Sequence, residues 1–342
     1  MTRYIIRRIL SSIFVLFVIV TASLWITRQA PSNPCLKEKQ VNTCACLKKY
    51  KLDRPVFPIH TPPPIRPVEG CQFWDPSSSW QIGPVEVIGP SDWGGTQFAN
   101  YMSLLASGSL GPSMRTGRPV IEALKSGLPY TLQLGLQAMI LALLIGVPAG
   151  MFAGVNQNTL ADYSTMTIAM IGIAVPNIVL GPMLIATFAL DLGWFDPGGW
   201  ESWSDSVLPS ITLSLYYAAY IARLARGGML EMIRKDFVRT ARAKGLTEGT
   251  IVFRHTFKGT ILPVVSYLGP AFAAMITGSV VVEEIFNLPG IGTRFVRSAL
   301  NRDYNMVLGA MIVYSTFLVT LNFLVDILYT YIDPRVDYDE RA

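Results

Sequence analysis

Runs without a formal charge divide the chain. They are Ile9–Thr27, Ser126–Ala161, Tyr163–Leu190, Ser206–Ala222, Gly259–Val282 and Tyr304–Val325. A bilayer core about 30 Å thick takes roughly 20 apolar residues in a helix, so each run predicts one membrane-spanning helix and the chain about six. The competing reading, a soluble protein with buried helices, fits poorly because core helices rarely run this long without charge. Arg3, Arg7 and Arg8 precede the first run as in a signal peptide. That run exceeds the usual 7–15 residues of a signal's apolar region, and no Ala-x-Ala site follows, so an uncleaved first helix is expected. The predicted organisation is a tail and first helix (1–29), a polar segment (30–126), a core of five further helices (127–332) with a basic loop at 233–258, and a short tail (333–342).

Composition agrees. Charged residues make up 15% of the 342, hydrophobic residues 51%, and mean hydropathy is +0.40. Soluble domains carry about 25% charge, and disordered chains have low hydrophobicity. The net charge of +5 forms no single patch; it follows topology. Lys and Arg concentrate in cytoplasmic loops. Arg234, Lys235, Arg239, Arg242, Lys244, Arg254 and Lys258 therefore place the loop after the fourth helix inside. Asp191–Asp205 has no Lys or Arg and is expected outside. Both termini then lie in the cytoplasm. Arg294, Arg297 and Arg302 fall outside against this bias, with Glu283, Glu284 and Asp303 as candidate counter-charges.

All four cysteines, Cys35, Cys44, Cys46 and Cys71, fall in the outer segment. This fits an oxidising compartment and a disulfide framework. Cys44 and Cys46 are too close to bridge each other easily, so Cys71 is expected to join Cys44 or Cys46. That bridge would close a loop of about 25 residues and stabilise by roughly 3 kcal/mol. Free thiols or a four-cysteine metal site are the alternatives, although Cys-x-Cys is unusual for structural zinc. The stretch from Pro55 to Pro90 is proline-rich and reads as irregular.

Candidate chemistry is sparse. With only His60 and His255, a metal-histidine site has little to draw on. There is no His-Glu-x-x-His, no Gly-x-Ser-x-Gly and no Gly-x4-Gly-Lys-Ser/Thr, so neither an intramembrane enzyme nor an ATP-binding loop is indicated. At the end of the last predicted span, Asp326 shares a helix face with Asn322 and Asp333. It is expected to pair with Arg223 or Arg226, with a role in a substrate path as the alternative. The most informative stretch is Asp236-Phe237-Val238-Arg239-Thr240-Ala241-Arg242-Ala243-Lys244-Gly245-Leu246. Small residues on a short helix, a glycine able to end it in a left-handed turn, and a basic rim suit a docking helix for a cytoplasmic partner. An ordinary basic inner loop is the alternative.

Thr240-Ala241-Arg242-Ala243-Lys244-Gly245 resembles the EAA loop of binding-protein-dependent ABC transporter permeases, in the form of the oligopeptide/dipeptide group. Arg254–Lys258 with Ile261-Leu262-Pro263, Glu283–Gly292, Asn301–Tyr304, Asp333-Pro334-Arg335, Met1–Arg8, Ala30-Pro31, Tyr50–Pro55 and Gly108–Ser113 are similar to other parts of that group. The resemblance spans nearly the whole chain and points to the B-type subunit. Arg239 stands where the general motif has Glu, and Val56–Thr96, containing Cys71, looks like an insertion outside the analogy.

The resemblance implies an all-α integral membrane protein of the importer permease type in the bacterial inner membrane. It implies a second, C-type permease, two ATP-binding cassette subunits that hold ATP and Mg, and an extracytoplasmic peptide-binding protein. Arg239, Thr240, Ala241, Ala243, Lys244, Gly245 and Leu246 would carry the ATPase docking, and this chain would hold no cofactor and catalyse nothing itself. Oligopeptides are the expected substrate, with dipeptides, nickel chelates or another small solute as alternatives. An ATP-independent channel or secondary transporter is the rival from another class; it would be expected to show inverted repeats or broken helices, and no repeat stands out.

Overall fold

The computed structural model describes residues 2–29, 57, 59–60, 79–82, 85–88 and 96–332, with side chains for 6–27, 57 and 96–324. The four cysteines, and with them the expected bridge, lie outside the described residues. The chain divides into one unit of residues 1–127 and 294–316 and a second of 128–293 and 317–342.

The first unit contains α1 (Thr2–Gln29), β1 (Ile59–His60), β2 (Ser79–Ile82), β3 (Val85–Ile88) and α2 (Gln97–Ala106). The strands form an antiparallel sheet in the order β1-β3-β2, with Trp80 opposite Val87. The proline-rich segment is therefore not wholly irregular. Its prolines fall outside the strands, and Val85, Val87 and Ile88 are β-branched residues that fit a pleated ribbon. Val20, Leu24, Tyr101 and Leu308 form a small core. The Phe98 ring packs edge-on to Phe17 at 6.1 Å and tilted to Phe57 at 5.3 Å. Asp303, expected as a counter-charge for outer arginines, is buried and spent on other donors. The Ser113 hydroxyl and the Met114 N–H (3.0 Å) donate to it, and it caps α10 (Tyr304–Ile332) through Met306 N.

The second unit takes most of α3 (Val120–Val155), then α4 (Leu160–Ala174), α5 (Asn177–Leu184) with a wider turn over Ile185–Asp191, α6 (Val207–Ile233), α7 (Asp236–Ala243) and α8 (Phe257–Ile285). α9 (Ile291–Leu300) follows. α6 is the central element, packed against α4 and α8. Leu134, Leu213, Ile221, Met229, Val264, Met275 and Phe286 are fully buried in this core. The turn before α6 is ordered by Asp205, which accepts from the N–H groups of Glu201 and Ser202, both at 2.7 Å, and from the Ser202 hydroxyl. These bonds, the Ser202 hydroxyl first, hold its carboxyl below the usual carboxylate range.

Two expectations about the spans change. Among the described residues four helical stretches are long and apolar enough to cross a bilayer: Ile6–Thr27, Val120–Val155, Glu248–Ile285 and Tyr304–Leu324. The predicted single span Tyr163–Leu190 is instead two helices, Leu160–Ala174 and Asn177–Asp191, bent by 100°. Pro176 is the cause. It offers no N–H to continue α4 and forces Val175 into extended backbone (φ −87°, ψ 115°). Counting the bent pair as one span gives five rather than six. The predicted run Ser206–Ala222 belongs to α6, which has 27 residues but is not apolar enough on that measure. Ser210, Thr212 and Ser214 are buried in it, which a helix enclosed by others tolerates where a lipid-facing one does not. Elsewhere large apolar side chains point outward, among them Phe14, Leu144 and Ile168, as hydrocarbon contact requires.

Candidate docking site

The basic loop is built around α7. Asp236 in its first turn and Arg242 in its last both complement the helix dipole. One face is closed: Val238 and Ala241 are buried with Ile251. The helix ends in a Schellman arrangement, Gly245 N bonding Arg242 O (2.9 Å) and Leu246 N bonding Ala241 O (3.2 Å). Gly245 takes φ +76°, the left-handed conformation that favours glycine, while a Cβ there would meet nothing within 4 Å. Arg242 then forks onto Glu248 at 2.7 and 3.2 Å. That hydrogen bond raises its guanidinium pKa further. Thr247 caps the next turn through Thr250 N (3.4 Å), and the chain passes through Ile251–Thr256 into α8 without a break.

Six of the seven expected docking residues lie on the open side: Arg239, Thr240, Ala243, Lys244, Gly245 and Leu246 are exposed. Ala241 is not. Its methyl is in the inner seam with Val238 and Ile251, so its small size serves packing within the loop rather than approach from outside. The Arg239–Asp236 pair, at 3.7 Å and largely exposed to water, contributes little. Three exposed aromatic residues add to the open side beyond the expected set: Phe237, Phe257 and above all Phe253, which is 75% exposed. The signal is present in the sequence, since bulky rings inside a basic polar loop have no core to fill.

Arg226 finds a carboxylate in an unexpected place. Its Nε and Nη2 donate to Asp162 at 2.6 and 2.7 Å. Asp162 is buried at the start of α4, and it also accepts from Asn158 N, the residue that turns the chain at φ +62°. The pair ties the α3–α4 turn to the C-terminal half of α6. Arg223 is exposed, and the side chain of Asp326 lies outside the described residues. Asp162→Ala is expected to cost about 1.5–3 kcal/mol, the range for hydrogen bonds to a charged group. Exchanging the pair as Asp162→Arg with Arg226→Asp is expected to recover part of that loss. Thermal unfolding in detergent measures both, and an unchanged melting temperature in Asp162→Ala would rule out the tie.

Comparison with known proteins supplies the context. Residues 146–338 match the family described as "Binding-protein-dependent transport system inner membrane component". The sequence is 38% identical to the oligopeptide transport system permease protein OppB of Salmonella typhimurium, over 99% of this chain and 100% of that one. It is 36% identical to the dipeptide transport system permease protein DppB of Bacillus subtilis, over 72% and 80%. An inward-facing structure of the MetNI methionine ABC transporter superposes with a TM-score of 0.55 at 17% identity, covering 62% of this chain and 97% of that one. The last likeness is one of fold alone.

Proposed function

We propose, because the chain belongs to the family of binding-protein-dependent transport system inner membrane components, that it is a permease subunit of an ATP-driven importer of oligopeptides. The observation that carries this is the similarity to oligopeptide permeases over essentially the full length of both chains. A second, C-type permease would complete the translocation path. Two ATP-binding cassette subunits would hold ATP and Mg and hydrolyse it. An extracytoplasmic peptide-binding protein would deliver the cargo. The protein is multi-pass, and the distribution of Lys and Arg supports both termini in the cytoplasm.

In this reading α7 receives the motion. Closure of the ATPase subunits would push on the exposed side formed by Arg239, Thr240, Ala243 and Gly245, with the rings of Phe237 and Phe253 as anchors. The seam of Val238, Ala241 and Ile251 and the Arg242–Glu248 fork make the loop stiff. A push is therefore passed into α8, whose 29 residues extend about 43 Å at 1.5 Å each. Rigid-body movement of such elements is how packed helices switch between two arrangements.

The test is co-purification with the candidate subunits, followed by ATP hydrolysis in lipid. Recovery of a second permease and ATPase subunits, with hydrolysis raised by peptide-loaded binding protein, supports the proposal. A complex stimulated only by dipeptides, a nickel chelate or another solute keeps the importer and changes the cargo. A protein that purifies alone, with no ATPase bound at α7, points to a channel or secondary transporter instead.

A further inference from the structure

We propose that Glu283 is a positioning residue that fastens the outer loop 286–293 to the end of α8, so that both move as one body when α8 is driven from the cytoplasm. This rests on the importer reading above and deepens it.

Glu283 sits in the last turn of α8 and is 1% exposed. A bare carboxylate is costly to bury, and the C-terminal end of a helix repels it. The loop offsets both costs. Glu283 Oε1 accepts from the Ser279 hydroxyl at 2.8 Å, and Oε2 accepts from Gly292 N at 2.7 Å. Gly292 is in the first turn of α9, where N–H groups lack partners within the helix and the dipole favours negative charge. The preceding N–H, Ile291, donates to Thr131 Oγ1 of α3 at 3.0 Å. The start of α9 is thus capped by side chains of two other helices, the preceding α8 and the distant α3.

The loop backbone lies close against the carboxylate, with no room for a side chain between them. A Cβ on Gly290 would fall 2.1 Å from Glu283 Oε2, and one on Gly292 would fall 2.9 Å from it and 2.6 Å from Val280 Cα. Leu288 N bonds the Glu283 carbonyl at 2.8 Å, and Gly199 N bonds the Phe286 carbonyl at 2.9 Å. The carboxylate is therefore enclosed by the backbone it holds. A charged acceptor makes the stronger bonds to N–H and O–H groups, which suits a joint that must survive motion.

The experiment uses the full complex. Glu283→Ala is expected to assemble with its partners and keep basal ATP hydrolysis. Its peptide-stimulated hydrolysis and uptake should fall by about tenfold, within the range usual for coupling between distant sites. Glu283→Gln keeps an acceptor for Gly292 N and should restore most of both. If Glu283→Ala lowers only the amount of complex, and each complex remains fully coupled, Glu283 is a structural group and the proposal fails. Should Glu283→Ala not accumulate, hydrogen exchange on the wild-type complex decides. Amides 286–293 should stay equally protected with and without trapped ATP, and loss of protection on trapping overturns the proposal. A wild-type chain that recruits no ATPase defeats the importer reading instead, so the two failures are distinct.

Discussion

Replacing Gly150 with leucine is expected to remove the folded protein from the membrane. Gly146, Gly150 and Gly154 lie on one face of α3, four residues apart. A Cβ at Gly146 would fall 2.5 Å from the Ala218 carbonyl oxygen, one at Gly150 2.2 Å from that of Ala222, and one at Gly154 2.7 Å from Met229 Cβ. The backbones of α3 and α6 are therefore in direct contact, with Ala218, Ala222 and Ala225 forming the opposing small surface. Between membrane helices lipid offers no hydrophobic drive to associate, so close van der Waals packing of small residues must supply it. A methyl group at Gly150 would meet the Ala222 backbone and the Ala225 Cβ, neither of which can swing aside, and overpacking of this kind costs about 1–3 kcal/mol. Leucine adds three more carbons and should separate the helices altogether. The same stripe holds α6 where Arg226 can reach Asp162, so the loss spreads to that tie. Gly227 is the control. It also lies inside α6, but a Cβ there meets nothing within 4 Å, and Gly227→Ala should be neutral or gain up to about 1 kcal/mol of helix propensity. Membrane-fraction yield and thermal unfolding measure both variants. A Gly150→Leu protein that accumulates and melts like the wild type would mean that α3 and α6 do not meet there.

The contrast between these glycines shows what a sequence of this kind discloses. Charge-free length is a local quantity, so α1, α3, α8 and α10 are legible from it. The bend at Pro176 is also written in the chain, but an uninterrupted apolar run on either side hides it, since hydropathy carries no backbone geometry. α6 is legible as an element and not as the central one, because burial between helices depends on neighbours far along the chain. The Asp162–Arg226 pair is out of reach for the same reason: 64 residues separate its members. Glu283 is recognisable as part of a resemblance, yet only the fold turns it toward Gly292 rather than toward an outer arginine. In the docking loop the helix, the glycine turn and the basic rim can be read. Which face is open cannot, and so Ala241 falls on the inner side of α7 against expectation. Phe237 and Phe253 carry a readable signal of that open face, since a ring in a polar loop needs a partner, either within the chain or outside it.

Gly245→Arg is expected to abolish peptide uptake while leaving the protein in the membrane at its normal level. The position separates two effects that usually travel together. Its φ of +76° penalises any residue with a Cβ, by about 1–2 kcal/mol. Its surroundings penalise nothing, because a Cβ added there would have no atom within 4 Å. The strain is confined to the end of an exposed eight-residue helix whose inner face stays closed by Val238, Ala241 and Ile251. Folding of the membrane core should not depend on it. What arginine adds is bulk and charge on the open side of α7, where a close-fitting ATPase surface would have to come. Three substitutions divide the contributions. Gly245→Asn tolerates the left-handed turn with modest bulk and should keep most uptake. Gly245→Ala carries the strain with one methyl group and should lose part of it. Gly245→Arg should lose all uptake, and affinity purification should recover it without the ATPase subunits. Equal losses in all three would assign the effect to the backbone turn alone. Undiminished uptake by Gly245→Arg, with the ATPase still bound, would remove α7 from the docking site and leave the stiff path from this loop through α8 without a driver at its inner end.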